Sequence, residues 1–125
     1  MRADVAGRAL TLALADTEPA RERGLMEITD LGSLDGMLFR FDRPAFWTFW
    51  MKDTLIPLDI AFFASDGRFV SRTTMPPCRS NPCPTYGAAA PFLFAIEAPA
   101  GRLDFLGFGA TLRVSLPASS PAVSP

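Results

Sequence analysis

Residues 46–63 read FWTFWMKDTLIPLDIAFF, and this stretch holds both tryptophans and the only lysine of the chain. If its first half is extended, successive side chains alternate between the two faces of a strand. Trp47 then shares one face with Met51, whereas Trp50 and Lys52 share the other. Because the two tryptophans cannot both point into one core, we expect one of them to line a groove or a loop contact.

The second half of this stretch predicts a bend followed by another strand. Pro57 lacks the N–H group that a central ladder requires, so it marks the bend. Residues 58–63 resume an apolar alternation, which directs Asp59 to the face opposite its apolar neighbours. The Ser-Asp-Gly at 65–67 is typical of a hairpin turn, and residues 68–74 are therefore expected to return antiparallel.

Short apolar runs separated by turn residues continue this pattern along the chain. A short helix is predicted from about residue 16 to Arg23, because Gly24 fits the left-handed position that ends helices. Residues 101–106 could form one further helical turn. About seven short strands with frequent turns favour an all-β fold, an antiparallel sandwich or barrel. The strands predicted outside the opening stretch are residues 9–15, 36–41, 91–98 and 109–116.

The composition predicts one globular domain. The chain has 125 residues, of which 49% are hydrophobic and 20% charged, enough for a hydrophobic core without help from metals. Residues 1–116 are expected to form the domain, and residues 117–125, rich in proline and serine, a disordered tail. No stretch approaches the roughly 20 apolar residues of a membrane span, and no signal peptide is visible at the start.

Charge and the missing histidine narrow the function classes. The net charge is −1, and the arginines do not cluster, which argues against a nucleic acid or an anionic membrane surface as the main partner. The chain has no histidine, so the usual general base and the commonest metal ligand are both missing. This makes a hydrolase less expected, and no metal site or cofactor is predicted.

The two cysteines, Cys78 and Cys83, lie in a proline-rich segment and are separated by four residues. This spacing differs from the two-residue spacing of thioredoxin-like motifs. Two cysteines without a histidine also leave a structural zinc site half built. A local disulfide is favoured over two reduced thiols. If it forms, it favours a periplasmic or secreted location over a cytoplasmic one.

Lys52 is the first candidate for a binding residue. The other basic residues are arginines, which suggests that this position needs a compact ammonium group. Asp53 and Asp59 flank the predicted bend, and Trp50 beside the lysine could stack a flat or sugar-like ligand. The alternative is a salt bridge between Lys52 and a carboxylate that fixes the bend.

Glu97 is the other candidate, since it interrupts an otherwise apolar strand. Either it is exposed on the outer face of a sheet, or it is buried and paired, with Lys52 or an arginine as the partner. Tyr86, the only tyrosine, is expected to be a packing anchor after the cysteine loop.

Several motifs occur in order across about residues 9 to 115 and carry a family resemblance. The chain resembles, in these motifs, the bacterial and archaeal domain of unknown function 192 family. The resemblance is strongest in the Phe-Trp-Met-Lys segment. The motifs are Glu22-Arg23-Gly24-Leu25-Met26, Gly36-Met37-Leu38-Phe39, residues 49–60, Pro77-Cys78 and Cys83-Pro84-Thr85-Tyr86, followed by Glu97 and Gly109.

The resemblance implies a compact, jelly-roll-like β-sandwich or partly closed barrel with one short helix near the N-terminus. It also implies that members often follow a signal or membrane-anchor segment, and it brings no established activity. One position departs from the family motif, which usually has asparagine after the lysine where this chain has Asp53. The departure adds a negative charge beside Lys52.

Three hypotheses follow for the function. The first is a non-catalytic module that binds a small molecule, a glycan or a protein through Trp50, Lys52, Asp53, Asp59 and Glu97. The second is a small hydrolase-like enzyme using Asp59 or Glu97 with Lys52, which requires these groups to converge in a cleft. The third is a structural module in which the motif is a folding signature. The absence of an obvious nucleophile pair favours the non-catalytic module.

Overall fold

The computed structural model describes residues 1–115, so the tail predicted at residues 117–125 lies outside the described residues. One short helix and several strands follow one another along the described chain. They are β1 Arg2–Val5, β2 Arg8–Ala15, α1 Glu18–Arg23, β3 Gly36–Ala45, β4 Phe49–Trp50, β5 Leu58–Phe63, β6 Phe69–Met75, β7 Thr85–Tyr86, β8 Phe92–Pro99 and β9 Leu112–Arg113.

Seven strands form one curled sheet, a half-barrel, in the order β6-β5-β8-β3-β2-β1-β9, and β4 pairs with β7 in a separate two-stranded sheet. The predicted all-β class with a short helix is confirmed, although residues 101–106 do not form a second helix. One ladder departs from the antiparallel prediction, because β2 and β3 are parallel. The chain passes through α1 between these two strands, and a crossover of this length joins parallel neighbours.

Capping residues at both ends define the length of helix α1. The hydroxyl of Thr17 accepts a hydrogen bond from the N–H of Ala20 at 3.3 Å, which caps the N-terminus. Gly24 ends the helix at φ 50°, a left-handed value that glycine tolerates, and its N–H donates to the carbonyl oxygen of Ala20 at 3.0 Å. No residue of α1 is fully buried, so the helix lies over the sheet without entering the core.

Apolar side chains cover both faces of the seven-stranded sheet and form two cores. Strand β5 is buried along its whole length because it contributes to both. The prediction that Ile60 and its alternate neighbours point inward is confirmed, but the face that carries Asp59 is buried as well. The first core includes Leu12, Leu38, Phe63, Ile96 and Leu103, and the second includes Phe39, Phe49, Met51, Ile60 and Phe62.

The alternation predicted for the opening stretch is also observed. Phe49 and Met51 are buried in the second core, whereas Trp50 and Lys52 are exposed. Trp47 is partly buried against the same core, whereas Trp50 is 47% exposed, so only one of the two tryptophans packs on the core. The alternation therefore buries Phe49 and Met51 in the second core and leaves Trp50 and Lys52 at the protein surface.

Cys78 and Cys83 form a disulfide with their Cα atoms 5.6 Å apart, as the local pairing predicted. It closes the loop between β6 and β7, and Cys78 packs against the second core. Strand β7 begins shortly after Cys83 and pairs with β4. The disulfide therefore anchors the strand that holds Trp50 in place.

Gly36 allows β3 to approach β8 closely where β8 carries Glu97. A Cβ atom at this position would overlap the carbonyl oxygen of Glu97, a backbone atom that cannot turn aside. We expect Gly36→Ala to lower the free energy of unfolding by about 2 kcal/mol, the usual range for overpacking. Urea denaturation measures this, with Gly107→Ala as the control, since its Cβ would meet open space. Equal stability of the two variants would contradict the prediction.

Candidate functional site

A cavity of about 550 Å³ opens between α1, strand β3 and the small β4–β7 sheet. Aromatic rings form much of its wall, and the end of α1 forms part of its mouth. Thr54 and Thr85 add hydroxyl groups, and Glu97 of β8 reaches the cavity from the sheet. The aromatic lining residues are Phe39, Phe41, Trp47, Phe49 and Trp50.

Glu97 lies in the middle of the sheet and faces this cavity. It is paired directly with Met37 of β3 and Ile60 of β5. Residues opposite each other in antiparallel strands project from the same face, so the Glu97 side chain lies on the side of Ile60 and Phe39, in the second core. Only 4% of the residue is exposed. The carboxyl group is thus at the floor of the cavity.

The Glu97 carboxyl group has neither a hydrogen bond nor an ion pair within residues 1–115. Its burial raises the pKa from 4.5 to about 8, because the ionised form is poorly solvated there. The sequence predicted either an exposed residue or a buried pair with Lys52 or an arginine. The observed state differs from both, since the carboxyl is buried and opens onto a cavity instead of onto a cation.

Arg21 of α1 forms one wall of the cavity. Its Nη1 donates to the carbonyl oxygen of Arg40 at 3.0 Å, and its guanidinium carbon lies 5.1 Å from the ring centroid of Phe41. A longer contact of 4.0 Å joins Arg21 to Asp42. These contacts orient the guanidinium along the aromatic wall, so its position is set by the sheet as well as by the helix.

Lys52 does not line the cavity but contacts a residue that does. Its Nζ lies 5.2 Å from the ring centroid of Trp50. Trp50 is 47% exposed and borders the cavity. The salt bridge considered for Lys52 is not formed within the described residues. The ammonium group therefore covers the outer face of the Trp50 ring while remaining in solvent.

Asp53 contributes to the site region through its backbone. It adopts φ 54°, a left-handed conformation that asparagine and aspartate tolerate better than most residues. Its carbonyl oxygen accepts a hydrogen bond from the N–H of Glu27 at 2.8 Å. The side chain is exposed. Aspartate can meet this conformational need as asparagine does, so the departure from the motif leaves the local backbone intact.

Asp59 lies on the other face of the sheet from Glu97. It is paired with Ala98 of β8, it is 1% exposed, and its two oxygens accept hydrogen bonds. The hydroxyl of Thr74 donates to Oδ1 at 2.6 Å, and the N–H of Gly101 donates to Oδ2 at 2.8 Å. Asp59 and Glu97 therefore do not converge on one cleft, as a paired acid–base mechanism would require.

With this geometry established, comparison with known proteins identifies the family. A family model for the domain of unknown function 192, described as an uncharacterized ACR, matches residues 1–116. The chain belongs to the domain of unknown function 192 family. A search of curated proteins finds no match to it.

Two solved structures resemble this domain of unknown function 192 protein, each with a TM-score of 0.78 and 30% sequence identity. One is a protein of unknown function from Novosphingobium aromaticivorans, and the match covers 91% of this chain and 84% of that one. The other is a proposed transcription regulator from Sinorhizobium meliloti, with 90% and 91% covered. Both solved structures thus share the fold of this chain.

Within residues 1–115, no group of three or more cysteine or acidic side chains is arranged to hold a metal ion. None of the helices described there has the length and apolar character to cross a membrane.

Most of the residues that line the cavity of this domain of unknown function 192 protein were not predicted from the sequence. Arg21, Phe41 and Thr85 come from α1, β3 and β7, which are far apart in the chain. No spacing rule connects them, because the crossover through α1 and the pairing of β4 with β7 create their proximity. Of the five binding candidates, Trp50 and Glu97 line the cavity, whereas Lys52, Asp53 and Asp59 do not.

Proposed function

We propose that this protein is a non-catalytic binding module that holds a small ligand in the cavity beneath α1, with Glu97 as its polar anchor. The observation that carries the proposal is the Glu97 carboxyl group, buried at the cavity floor without a partner among the described residues. A ligand in the cavity would provide the hydrogen bonds that residues 1–115 do not.

The energetic cost of Glu97 supports a role outside folding. Ionising the Glu97 carboxyl is unfavourable here, because burial raises its pKa to about 8 while its oxygens reach only the cavity. An apolar residue at this position would pack against Phe39 and Ile60 at no such cost. A buried acidic residue in an otherwise apolar strand lowers stability, and such residues are expected at functional sites, where function requires them.

The size and lining of the cavity also support small-molecule binding. Ligand sites are commonly clefts of about 300–1,000 Å³ with apolar and aromatic walls and a few convergent polar groups. The cavity of about 550 Å³, with its aromatic wall and its two threonines, has this character. It suits a ligand with a flat or apolar body.

Trp50, Lys52 and Asp53 occupy the rim in this proposal. The ring of Trp50 forms one edge of the cavity, and Lys52 lies on that ring from outside. The carbonyl oxygen of Asp53 accepts a hydrogen bond from the N–H of Glu27, which holds the turn that follows Lys52. Lys52 and Asp53 thus act by positioning Trp50, and Asp59 acts from the other face by holding the turn that follows β8.

No specific observation favours the enzyme alternative. Glu97 would have to act alone, since Asp59 is on the opposite face and Lys52 is in solvent. Transcription regulation, proposed for the Sinorhizobium relative, is not carried over here, because the net charge of −1 offers no electrostatic attraction to nucleic acid.

The test is a calorimetric screen of a metabolite and glycan library against the wild-type protein and Glu97→Gln. Asp66→Asn is the matched control, because it makes the same carboxyl-to-amide change in an exposed hairpin away from the cavity. We expect ligands whose affinity falls about tenfold or more in Glu97→Gln, equivalent to about 1.4 kcal/mol, and is unchanged in Asp66→Asn. A screen in which every ligand binds both variants equally, or in which none binds, would refute the proposal.

We also propose that the protein works in an oxidising compartment, periplasmic or secreted. The Cys78–Cys83 disulfide supports this location, because disulfides persist mainly outside reducing cytosols. Alkylation of free thiols in protein taken directly from cells measures the oxidation state, and a fully reduced pair would contradict the location.

A further inference from the structure

We infer that the ligand is an organic cation, an amine with a flat or apolar body, whose ammonium group pairs with the carboxylate of Glu97 inside the cavity. This inference rests on the proposed binding function and specifies the chemical class of its ligand. It stands on the geometry of the cavity floor, on the balance of charge around it and on the chemistry of its walls.

The first argument is the missing partner of Glu97. Buried carboxylates in proteins are normally paired with a cation or held by several hydrogen bonds. Arg21 and Arg23 line the same cavity, yet neither forms a salt bridge with Glu97 within residues 1–115. Arg21 is instead held by Arg40 and Phe41. The cation that would normally pair with Glu97 is therefore one that the protein does not supply and that a ligand could bring.

The second argument is the charge balance of the cavity. Its other charged lining residues within the described chain are Glu18, Arg21, Glu22 and Arg23, all on α1, and their charges cancel. Strands β3, β4 and β7 contribute no charged group to the lining, and the residue of β5 opposite Glu97 is Ile60. Ionised Glu97 thus leaves one net negative charge, which a single ammonium group neutralises.

The third argument is the character of the aromatic wall. Cations lie over the faces of three of its rings: Arg21 at 5.1 Å from Phe41, Arg43 at 5.2 Å from Trp47 and Lys52 at 5.2 Å from Trp50. Aromatic rings attract cations through their electron-rich faces. The rings Phe39 and Phe49 line the cavity as well and have no cation over them among the described residues. Phe39 and Phe49 are 1% and 8% exposed and pack edge to face on each other, so they offer the apolar body of the ligand a contact surface and leave its ammonium group to Glu97.

This ligand class requires a specific pH dependence. In the empty protein, burial raises the pKa of Glu97 to about 8. An ammonium ligand binds the ionised form, so its binding releases a proton from Glu97 below that pH. The affinity then falls about tenfold for each pH unit below 8 and is constant above it. A neutral ligand that accepts a hydrogen bond from the protonated carboxyl would show the opposite profile.

The probes for this inference are three molecules with the same ring and different charge: phenethylamine, 2-phenylethanol and phenylacetate. Calorimetric titration of each into the 125-residue chain is carried out across about pH 6 to 9, where phenethylamine remains largely protonated, as amines of this kind do. We expect phenethylamine to bind at least about tenfold more tightly than the other two above pH 8 and to lose affinity as the pH falls.

The variants separate this inference from the proposed function on which it rests. Above pH 8, Glu97→Gln is expected to weaken phenethylamine binding at least about tenfold, and it should remove the pH dependence, whereas Asp66→Asn should keep the wild-type affinity and pH profile. If 2-phenylethanol binds as tightly and still requires Glu97, the cation class is wrong and the binding site stands. If phenethylamine does not bind at millimolar concentration, the cation class is also wrong. If above pH 8 it binds Glu97→Gln as well as the wild type, both inferences fail for this probe and site.

Discussion

Replacing Glu97 by glutamine is expected to stabilise the protein by roughly 3 kcal/mol at pH 7. The wild-type carboxyl is buried, and its pKa is raised from 4.5 to about 8 by desolvation. Between these pH values the unfolded chain releases the Glu97 proton while the folded protein retains it. Unfolding therefore becomes more favourable as the pH rises, and glutamine, which carries no such proton, removes this effect.

The raised pKa of Glu97 determines the pH range in which wild type and Glu97→Gln differ in stability. Below pH 4.5 the carboxyl is protonated in both states, so wild type and Glu97→Gln should differ by less than about 1 kcal/mol, the difference of two neutral buried groups. The difference then grows by about 1.4 kcal/mol per pH unit up to pH 8. Above pH 8 it levels off at roughly 5 kcal/mol, since the folded protein ionises as well.

Urea unfolding of both proteins at about pH 4, 7 and 9 measures this difference directly. The other titrating groups are common to both proteins, so the difference isolates Glu97. Asp66→Asn, an exposed carboxyl-to-amide change, should remain within about 0.5 kcal/mol of wild type at each pH. A difference between wild type and Glu97→Gln that does not depend on pH would show that the carboxyl is solvated or paired in solution. A gain in stability also means that lost ligand binding in this variant cannot be attributed to unfolding.

The strands of the fold were largely predictable from local patterns. The alternation through Phe49 and Trp50, the bend at Pro57 and the hairpin at residues 65–67 were each predicted and observed. The parallel pairing of β2 with β3 was not predicted. Alternation describes which face a residue occupies but carries no information on strand direction, which the crossover through α1 decides.

The candidate site was predictable only in part, for a related reason. Period-two patterns separate two faces, and an acid on the face opposite the apolar residues is usually assumed to be in solvent. Here both faces of β5 and β8 are covered by cores, so Asp59 and Glu97 are both buried, on opposite sides. Only the tertiary structure determines that Asp59 accepts hydrogen bonds whereas Glu97 lines a cavity.

The contrast between the two acids leads to the second large effect, expected for Asp59→Ala. Asp59 accepts hydrogen bonds from the Thr74 hydroxyl at 2.6 Å and from the Gly101 N–H at 2.8 Å. Hydrogen bonds to a charged group contribute about 1.5–3 kcal/mol each. Because alanine removes both bonds, we expect the free energy of unfolding to fall by about 3 to 4 kcal/mol.

Asp59→Asn tests whether stability depends on the hydrogen bonds of Asp59 or on its negative charge. Its carbonyl oxygen can accept from Gly101, and its amide can donate to the Thr74 oxygen, since a hydroxyl both donates and accepts. Asp59→Asn should therefore cost less than about half as much as Asp59→Ala by urea unfolding. It should also bind ligands as the wild type does, because Asp59 lies on the face away from the cavity. Wild-type stability in Asp59→Ala would contradict the predicted contribution of the two hydrogen bonds, and lost ligand affinity in a folded Asp59→Asn would assign Asp59 a direct role in the site.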